Sequence, residues 1–286
     1  MTHYLYSGAG NTFVVLDGRE VAGEVDIKGL CARYHTDGLM IIHQSKEWDF
    51  EMEFFNPDAT GGMMCGNGGR CIVAFADYLG FKPADGKVYR FKAGDGPHTG
   101  EILADDGVVK TVRIRMIDVS EFRPELDGWF VNTGTRHFVK FVPEVEGLDV
   151  DSEGRRYRWD PVFAPVGANA NFVKLEPGRL VVRTFEKGVE GETLACGTGI
   201  TASAIASWLS GISPLGAFMA ALNPGQSAPY TETADGRVIV NVRAREDDLQ
   251  VEFRPTLENG RVTGFTSVYL TGPAKMYGKE ITDSAE

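Results

Sequence analysis

The first strongly patterned segment, residues 50–80, changes from strand-like to helix-like periodicity at a cysteine. Phenylalanine and methionine alternate with glutamate in residues 50–54, which is the period-two pattern of a half-buried strand. After Cys65 the apolar residues recur at helical spacing until Gly80, a residue type that commonly follows a helix end. The pattern predicts a strand, a glycine-containing turn, and a helix whose first turn carries Cys65.

A second segment, residues 179–211, repeats this arrangement around Cys196. When the two cysteines are aligned, other residues coincide: Gly66 with Gly197, Gly68 with Gly199, Gly80 with Gly211, and Phe54 with Phe185. The repeat predicts two similar halves, each with a helix that begins at a cysteine.

Most of the remaining chain has the alternation of short strands separated by Gly and Asp turns. The predicted strands are 87–93, 99–103, 108–117, 130–141 with an internal turn, 238–242, 249–253 and 267–270. The polar stretch 118–127 is the predicted domain boundary. The pattern indicates an α+β fold with two similar halves, each a curled sheet around its helix.

Three other segments carry weaker signals. Residues 25–34 are predicted to form a short helix, and the charged residues 151–160 are expected to be solvated. The last predicted strand, 267–270, and then Thr271-Gly272-Pro273 close the chain.

The composition is that of a globular protein, because 43% of the 286 residues are apolar and 24% are charged. A chain of this length holds one large domain or two ordinary ones, and the repeat favours two. The net charge of −11 is unlike the basic surface of a nucleic-acid-binding protein. We therefore expect no nucleic-acid partner.

Residues 193–231 carry no charged side chain, which raises the question of a membrane span. Pro214 and Pro224 interrupt this stretch, so we predict a buried helix followed by a neutral loop. The N-terminus shows no secretory signal, and four cysteines in such a chain suggest reduced thiols. These features predict a cytoplasmic protein with no membrane partner.

The start of a helix is the predicted position of both Cys65 and Cys196. Backbone N–H groups there favour anions, and they lower the pKa of a thiol toward neutrality. Two such thiols in similar halves suggest a pair that faces one substrate. The simpler interpretation, two small buried cysteines that follow a turn, explains one copy better than it explains two.

Further motifs place the cysteines in a family context. In chain order they are GAGNTF at 8–13, FNPD at 55–58, CGNG at 65–68, ANANFV at 168–173, GETLACGTG at 191–199 and VYLTGPA at 268–274. This ordered set, which extends over nearly the whole chain, closely resembles the diaminopimelate epimerase family, a group of cofactor-independent amino-acid epimerases.

The resemblance implies two pseudo-symmetric domains, residues 1–118 joined by 267–286 and residues 119–266, with the active site between them. It implies interconversion of LL- and meso-diaminopimelate in lysine and peptidoglycan precursor biosynthesis. Cys65 and Cys196 would exchange the roles of thiolate base and thiol acid. The substrate would be a small molecule, an amino acid. The resemblance implies neither a cofactor nor a metal, and a homodimer is compatible with the family.

The resemblance also assigns the other site residues. His137 and Glu186 correspond to positions that tune the cysteines and hold substrate. The substrate-binding positions are Asn11, Asn56, Asn169, Glu186, Lys187 and the helix-start residues Gly66, Asn67, Gly197 and Thr198. Backbone N–H groups at the helix starts can hold the α-carboxylate and the charge that develops on it. Two coupled thiols predict a bell-shaped pH profile.

Two motifs depart from the family. This chain has Gly134-Thr135-Arg136-His137 where the family usually has Gly-Asn-Pro-His, and Glu186-Lys187-Gly188 where it has Glu-Arg-Gly. One hypothesis is that Lys187 with Arg136 keeps a cationic grip on the distal carboxylate. The other is that the enzyme racemises a different amino acid. The first is favoured because Asn56, Asn169 and Glu186 are present.

Other classes of protein remain as alternatives. A cysteine hydrolase would use one cysteine with His137 as its base, but it leaves the second cysteine unexplained. A zinc site from Cys65, Cys71 and His137 lacks paired ligand spacing. A non-catalytic binding protein would not need two reactive thiols at helix starts.

Overall fold

The computed structural model describes residues 1–62, 64–212 and 228–281, and the chain divides into two compact units. Unit 1 comprises Met1–Arg115 and Thr271–Glu286, and unit 2 comprises Met116–Leu270. The domains predicted from the sequence, 1–118 with 267–286 and 119–266, concern parts that fold independently. This division of the chain stays a prediction.

The described residues form seventeen strands, four α-helices and one 3-10 turn. The strands are β1 (Thr2–Gly8), β2 (Asn11–Asp17), β3 (Gly38–His43), β4 (Phe50–Phe55), β5 (Val88–Ala93), β6 (Gly96–Asp105), β7 (Val109–Arg115), β8 (Phe122–Glu125), β9 (Gly128–Asn132), β10 (Arg136–Phe141), β11 (Asn169–Glu176), β12 (Arg179–Glu186), β13 (Gly191–Thr193), β14 (Tyr230–Glu232), β15 (Val238–Arg243), β16 (Asp248–Glu258) and β17 (Arg261–Ile281). The helices are α1 (Ile27–Tyr34), α2 (Gly66–Tyr78), α3 (Val150–Arg158) and α4 (Gly197–Ile212), and the 3-10 turn is Pro161–Phe163.

Unit 1 is a closed ring of strands around α2. The strands β1 to β7 pair in chain order, with parallel pairs at β2–β3 and β4–β5. The ring closes because β17 pairs with both β7 and β1, which removes two exposed strand edges. The helix α2 packs against β1, β2, β3, β6 and β7, so it is the core of the unit.

Unit 2 repeats this plan around α4. Antiparallel β8–β9–β10 leads through a parallel β10–β11 pair to β12, and β12 pairs in parallel with β15. The strands β15 and β16 are antiparallel, and Val119 forms a β-bridge with Phe265 of β17. Contacts of α4 with β9 to β12, β15 and β16 place this helix at the centre. The predicted α+β class, a mainly antiparallel curled sheet around a central helix, is confirmed.

Both α2 and α4 are rich in small residues, which suits helices that are buried on all sides. In α2 every residue from Gly66 to Ala76 is buried. In α4 the buried hydroxyls of Thr201 and Ser203 donate to the carbonyls of Gly197 and Gly199 at 2.9 and 2.7 Å. Satisfying these polar groups within the helix lets α4 enter an apolar core without a desolvation penalty.

Two local predictions held only in part. Five of residues 151–160, which were expected to be solvated, are exposed, whereas Gly154, Tyr157 and Arg158 are buried. The segment forms α3, with Asp149 as N-cap, Asp and Glu in its first turn and Arg in its last. This charge arrangement stabilises a helix through its dipole. The predicted strand at 267–270 is part of the longer β17, which continues through Thr271-Gly272-Pro273 because pairing with β7 extends it.

The predicted helix at 25–34 is confirmed as α1. The buried helix predicted at the start of the neutral stretch is confirmed as α4. Most of the predicted neutral loop, with Pro214 and Pro224, lies outside the described residues.

Candidate active site

Cys65 lies immediately before α2 and is the N-cap of that helix. Its backbone is extended, with φ −97° and ψ 150°, and its carbonyl accepts from the N–H of Gly69 at 2.8 Å. Its sulfur accepts from the N–H of Gly68 at 3.2 Å, a contact that favours the thiolate over the thiol. The side chain is exposed, so a ligand can reach the sulfur.

A buried arginine orients the amides next to Cys65. Arg70 is 0% exposed, and its Nη2 donates to Asn67 Oδ1 at 2.8 Å. Asn67 donates through Nδ2 to Asn11 Oδ1 at 2.5 Å. Because a guanidinium only donates, it fixes the orientation of both amides. Two predicted substrate-binding residues, Asn11 and Asn67, are therefore joined in unit 1.

The strand β1 approaches α2 so closely that only glycine fits at position 8. A Cβ on Gly8 would lie 2.8 Å from the Asn67 carbonyl oxygen and 3.0 Å from Cys71 Sγ. Cys71 is fully buried, and burial raises the pKa of its thiol to about 12 although Arg70 acts in the opposite direction. Cys71 is therefore unreactive, in contrast to the exposed Cys65 at the start of the same helix.

Cys196 occupies the equivalent position before α4 and is 7% exposed. Its sulfur lies 3.4 Å from Thr198 Oγ1 and also hydrogen-bonds the Glu186 carboxylate. The other partner of that carboxylate is Thr193, whose Oγ1 donates to Glu186 Oε2 at 3.0 Å. Burial raises the pKa of Glu186 above its usual value, and these two hydrogen bonds oppose the rise. A carboxyl of raised pKa beside a thiol is suited to accept the thiol's proton.

His137 is 0% exposed on β10 and contacts Cys196 through a threonine. Its Nε2 lies 2.8 Å from Thr135 Oγ1 and 3.0 Å from Thr198 Oγ1, and Thr198 is the residue that contacts the Cys196 sulfur. Burial lowers the pKa of His137 to about 3. The ring is therefore neutral at physiological pH, which suits it to positioning rather than to proton transfer.

This burial predicts that His137 makes folding sensitive to acid. The unfolded histidine titrates near 6.5 and the folded one near 3, so the stabilisation is complete above 6.5 and is lost as the pH falls toward 3. Below 6.5 the free energy of unfolding should decrease by about 1.4 kcal/mol per pH unit from this residue alone. Urea unfolding at pH 7.5 and pH 5.0 should show a loss about 2 kcal/mol smaller in His137→Gln than in the parent. Equal losses in both proteins would contradict the assignment.

Asn169 and Lys187 are joined, whereas Arg136 is engaged elsewhere. Asn169 Oδ1 accepts from the N–H of Lys187 at 2.7 Å, and its Nδ2 donates to the Arg136 carbonyl at 2.9 Å. The Arg136 guanidinium donates to the Phe163 carbonyl at 3.0 Å and lies 5.2 Å from the ring centre of Phe130. These contacts hold the half-buried Arg136 side chain against the core of unit 2. Lys187 is therefore the better candidate for the distal grip, and a grip shared with Arg136 stays a hypothesis.

Asn56 lies in the turn that follows β4. Its Nδ2 donates to Thr60 Oγ1 at 3.0 Å, and its backbone N–H donates to the Thr60 carbonyl at 2.9 Å. The amide therefore closes a local turn in unit 1, and its predicted role toward substrate rests on the family resemblance.

Four residues with clear structural roles at the two cysteines received none from the sequence: Arg70, Thr135, Asn171 and Thr193. Asn171 is two residues from Asn169, so both lie on one face of β11, and this spacing was an available signal. Arg70 lies one helical turn after Gly66, to whose carbonyl it donates at 3.2 Å. Thr135 was noted only as a departure from the family.

Residues 1–62, 64–212 and 228–281 contain neither a candidate metal-ion site nor a candidate membrane-spanning helix. In this part of the chain no three His, Cys, Asp or Glu side chains are grouped so that they could hold a metal ion. No helix within the same ranges is long and apolar enough to cross a membrane.

The sequence is similar to those of known proteins. The sequence profile described as diaminopimelate epimerase matches residues 129–253. A diaminopimelate epimerase of Flavobacterium psychrophilum is 34% identical over 283 residues, which cover 96% of this chain and 97% of that protein. The same enzyme from Chlorobaculum tepidum is 41% identical over 217 residues, covering 72% of this chain and 82% of its own.

A solved structure supports the fold independently. The Bacillus anthracis phenazine biosynthesis protein of the PhzF family superposes with a TM-score of 0.63 over 98% of both chains. At 14% identity this likeness concerns the fold alone. Since the similarity to the Flavobacterium protein extends over almost the entire chain, the chain belongs to the diaminopimelate epimerase family of isomerases.

Proposed function

We propose that this protein interconverts LL- and meso-diaminopimelate without a cofactor, with Cys65 and Cys196 as the two bases. The observation that carries the proposal is the matched setting of the two sulfurs. Each precedes a buried helix, and each lies within hydrogen-bond distance of a donor group of that helix's first turn. Such settings stabilise a thiolate. The reaction serves lysine and peptidoglycan precursor biosynthesis.

The proposed step exchanges one proton for another at Cα. In one direction the Cys196 thiolate takes the Cα proton, so that the C–H bond breaks and an S–H bond forms. The electron pair left on Cα spreads into the α-carboxylate, and the Cys65 thiol then delivers its proton to the opposite face. The centre is inverted with no change in oxidation state, and in the reverse direction the two cysteines exchange roles.

The helix starts supply the electrostatic part of the proposal. Backbone N–H groups of Gly66, Asn67, Gly197 and Thr198 are at the positive ends of α2 and α4, where an anion is favoured. We assign them to the substrate's α-carboxylate, whose negative charge grows as the proton leaves. Asn11 and Asn169 are assigned to the polar groups around the same centre.

The properties of His137 count against the hydrolase alternative. A cysteine hydrolase needs a base that takes the proton of its nucleophile. A histidine whose pKa is lowered to about 3 by burial is too weak a base for a thiol at neutral pH. Glu186 is the better proton acceptor for Cys196, and an epimerase explains the second cysteine.

Lys187 is proposed to bind the distal carboxylate of diaminopimelate. Its backbone is fixed by Asn169 at 2.7 Å, and its half-buried side chain is a point charge rather than a bidentate fork. Lys187→Ala should raise KM for LL-diaminopimelate by about tenfold with kcat almost unchanged, because a charged hydrogen bond is lost from bound substrate and transition state alike. Steady-state kinetics check this.

Arg136→Met is the matched control for Lys187→Ala. Arg136 is the other cation in the two motifs that differ from the family pattern, but its guanidinium donates to the Phe163 carbonyl. KM should therefore stay at the parent value in Arg136→Met. A KM that rises only in Arg136→Met would reverse the assignment.

The second candidate function is racemisation of another amino acid by the same two cysteines. The engagement of Arg136 with Phe163 and Phe130 favours it, because a distal grip then has one cation instead of two. A cytoplasmic location and a homodimer are further predictions. The cytoplasm is expected because the two catalytic thiols must stay reduced, which needs a reducing compartment.

The decisive experiment follows the Cα proton. Purified, reduced protein is incubated with LL-diaminopimelate in heavy water, and deuterium at Cα and the meso isomer are followed by NMR. Deuterated meso product would support the proposal. A folded protein that exchanges no diaminopimelate proton but exchanges that of another amino acid would establish the second candidate instead.

A further inference from the structure

A chain of hydrogen-bonded polar side chains in unit 2, which begins at two buried residues, ends at the Cys196 sulfur. Asn171 Nδ2 lies 3.1 Å from His137 Nδ1, His137 Nε2 lies 3.0 Å from Thr198 Oγ1, and Thr198 Oγ1 lies 3.4 Å from Cys196 Sγ. Asn171 and His137 are both 0% exposed. In each hydrogen bond of this chain one group donates and the other accepts. The direction of the first hydrogen bond therefore determines the direction of the ones that follow.

The direction of these hydrogen bonds is set at Asn171. Its Nδ2 is 3.0 Å from the Phe138 carbonyl, which only accepts, and its Oδ1 accepts from Thr184 Oγ1 at 3.0 Å. These two contacts fix the amide so that its NH2 group faces His137. The Nδ1 atom must accept this hydrogen bond and therefore carries no proton. Since the ring is neutral, its proton is on Nε2.

The Nε2 proton decides what Thr198 can do. With Nε2 as a donor, the Thr198 hydroxyl cannot donate to the ring. The Nε2 proton lies between Thr135 Oγ1 at 2.8 Å and Thr198 Oγ1 at 3.0 Å, and the Thr135 hydroxyl donates to Thr198 Oγ1 at 2.9 Å. Whichever oxygen accepts the Nε2 proton, the Thr198 oxygen accepts at least one of these hydrogen bonds. Its hydrogen is left to point at the Cys196 sulfur.

We propose that Asn171 is a positioning residue for Cys196, because it fixes His137 as the Nε2–H tautomer and thereby makes the Thr198 hydroxyl a hydrogen-bond donor to the sulfur. A donor favours the thiolate. This inference deepens the proposed function, on which its catalytic meaning rests, by making Cys196 the cysteine prepared to remove a proton.

The charged groups around this chain are consistent with that direction. On β12, the Glu186 carboxylate accepts from Cys196, so the sulfur has an acceptor for its proton and, in Thr198, a donor for its negative charge. On β10, His137 is neutral. On β13, Glu192 is paired with Arg183 and Arg245 at 2.6 and 2.8 Å, which leaves Glu186 as the carboxylate that acts on the sulfur.

The tautomer is tested directly on the unsubstituted protein. In 15N-labelled protein the imidazole shifts of the five histidines distinguish Nε2–H, Nδ1–H and the imidazolium. His137, identified by its loss in His137→Gln, should be the Nε2–H tautomer and should not titrate between pH 5 and 9. In Asn171→Leu, the Nδ1–H tautomer should become populated. Observation of Nδ1–H or imidazolium in the unsubstituted protein would overturn the proposal.

The effect on sulfur is tested by alkylation, which needs no substrate and is therefore independent of the proposed function. In a Cys65→Ala background, the rate of iodoacetamide addition to Cys196 is measured against pH by mass spectrometry. Thr198→Val and Asn171→Leu should each raise the apparent pKa of Cys196 by about one unit, a roughly tenfold lower rate below that pKa.

Two controls separate this role from simple packing. Thr198→Ser keeps the hydroxyl and should keep the parent pKa. Thr133→Val removes a buried hydroxyl next to Thr198, one that donates to the Thr198 backbone carbonyl at 3.0 Å, and it should also leave the pKa unchanged. An unchanged pKa in Thr198→Val, or an equal rise in Thr133→Val, would overturn the proposal.

Discussion

Replacing either Cys65 or Cys196 with alanine should lower kcat for epimerisation by at least about 10³-fold, within the range for loss of a positioned acid or base. Inversion at Cα needs a proton acceptor on one face and a donor on the other, so neither cysteine can act for both. Formation of the meso isomer from LL-diaminopimelate, followed by NMR, measures the loss.

Isotope exchange should then distinguish the two faces. With one cysteine removed, the other can still take a proton from its own face and return deuterium to the same face. Each single variant should therefore exchange slowly with one stereoisomer and not with the other, in opposite senses for Cys65→Ala and Cys196→Ala. The double variant should show no exchange.

Cys71→Ala is the matched control, because Cys71 lies in α2, the helix whose N-cap is Cys65. Its thiol is fully buried, and burial raises its pKa to about 12, so it cannot ionise near neutral pH. We expect activity within about twofold of the parent and a lower melting temperature, because a small cavity is created. Full epimerase activity in Cys65→Ala or Cys196→Ala would refute the two-base proposal.

The sequence allowed the helix starts to be predicted because they depend on local periodicity. Both α2 and α4 begin at the residue after a cysteine, as the change from period two to helical spacing indicated. The central position of these helices was also predictable, since apolar and small residues continue around them. These are properties of short segments, and a single sequence contains them.

Ring closure depends on distant residues and was not predictable in the same way. The strand β17 continues through Thr271-Gly272-Pro273 because β7 and β1 pair with it, and those partners are more than a hundred positions away. Local turn propensity favoured an end to the strand at this point. Tertiary pairing outweighed it, as is common for strands.

The polar network of the site could be named only in part. Asn169 and Asn171 lie two residues apart on one strand, and no local signal distinguishes them. Their partners come from neighbouring strands: Asn169 donates to the Arg136 carbonyl, whereas Asn171 contacts the His137 ring. Which asparagine orients the histidine is therefore decided by the register of β10 with β11, which sequence periodicity does not specify.

Glu186→Gln should lower kcat by about 10²-fold near neutral pH, because the carboxylate that accepts the Cys196 proton is lost. The substitution keeps the side-chain shape and an oxygen that can accept from Thr193. Burial raises the pKa of Glu186, so the parent's rate should increase as pH rises through that pKa and decrease where the donor thiol ionises. In Glu186→Gln the rising limb should move to higher pH, toward the ionisation of the Cys196 thiol itself.

The control for this prediction is Glu190→Gln, which removes a nearby carboxylate that pairs with Arg158 at 3.0 Å instead of with a cysteine. Its pH profile should match the parent's. The iodoacetamide rate at Cys196 gives a second reading without turnover, and it should decrease at neutral pH in Glu186→Gln and stay constant in Glu190→Gln. If Glu186→Gln lowered kcat but left both the rising limb and the alkylation rate unchanged, Glu186 would act on bound substrate rather than on the proton of Cys196.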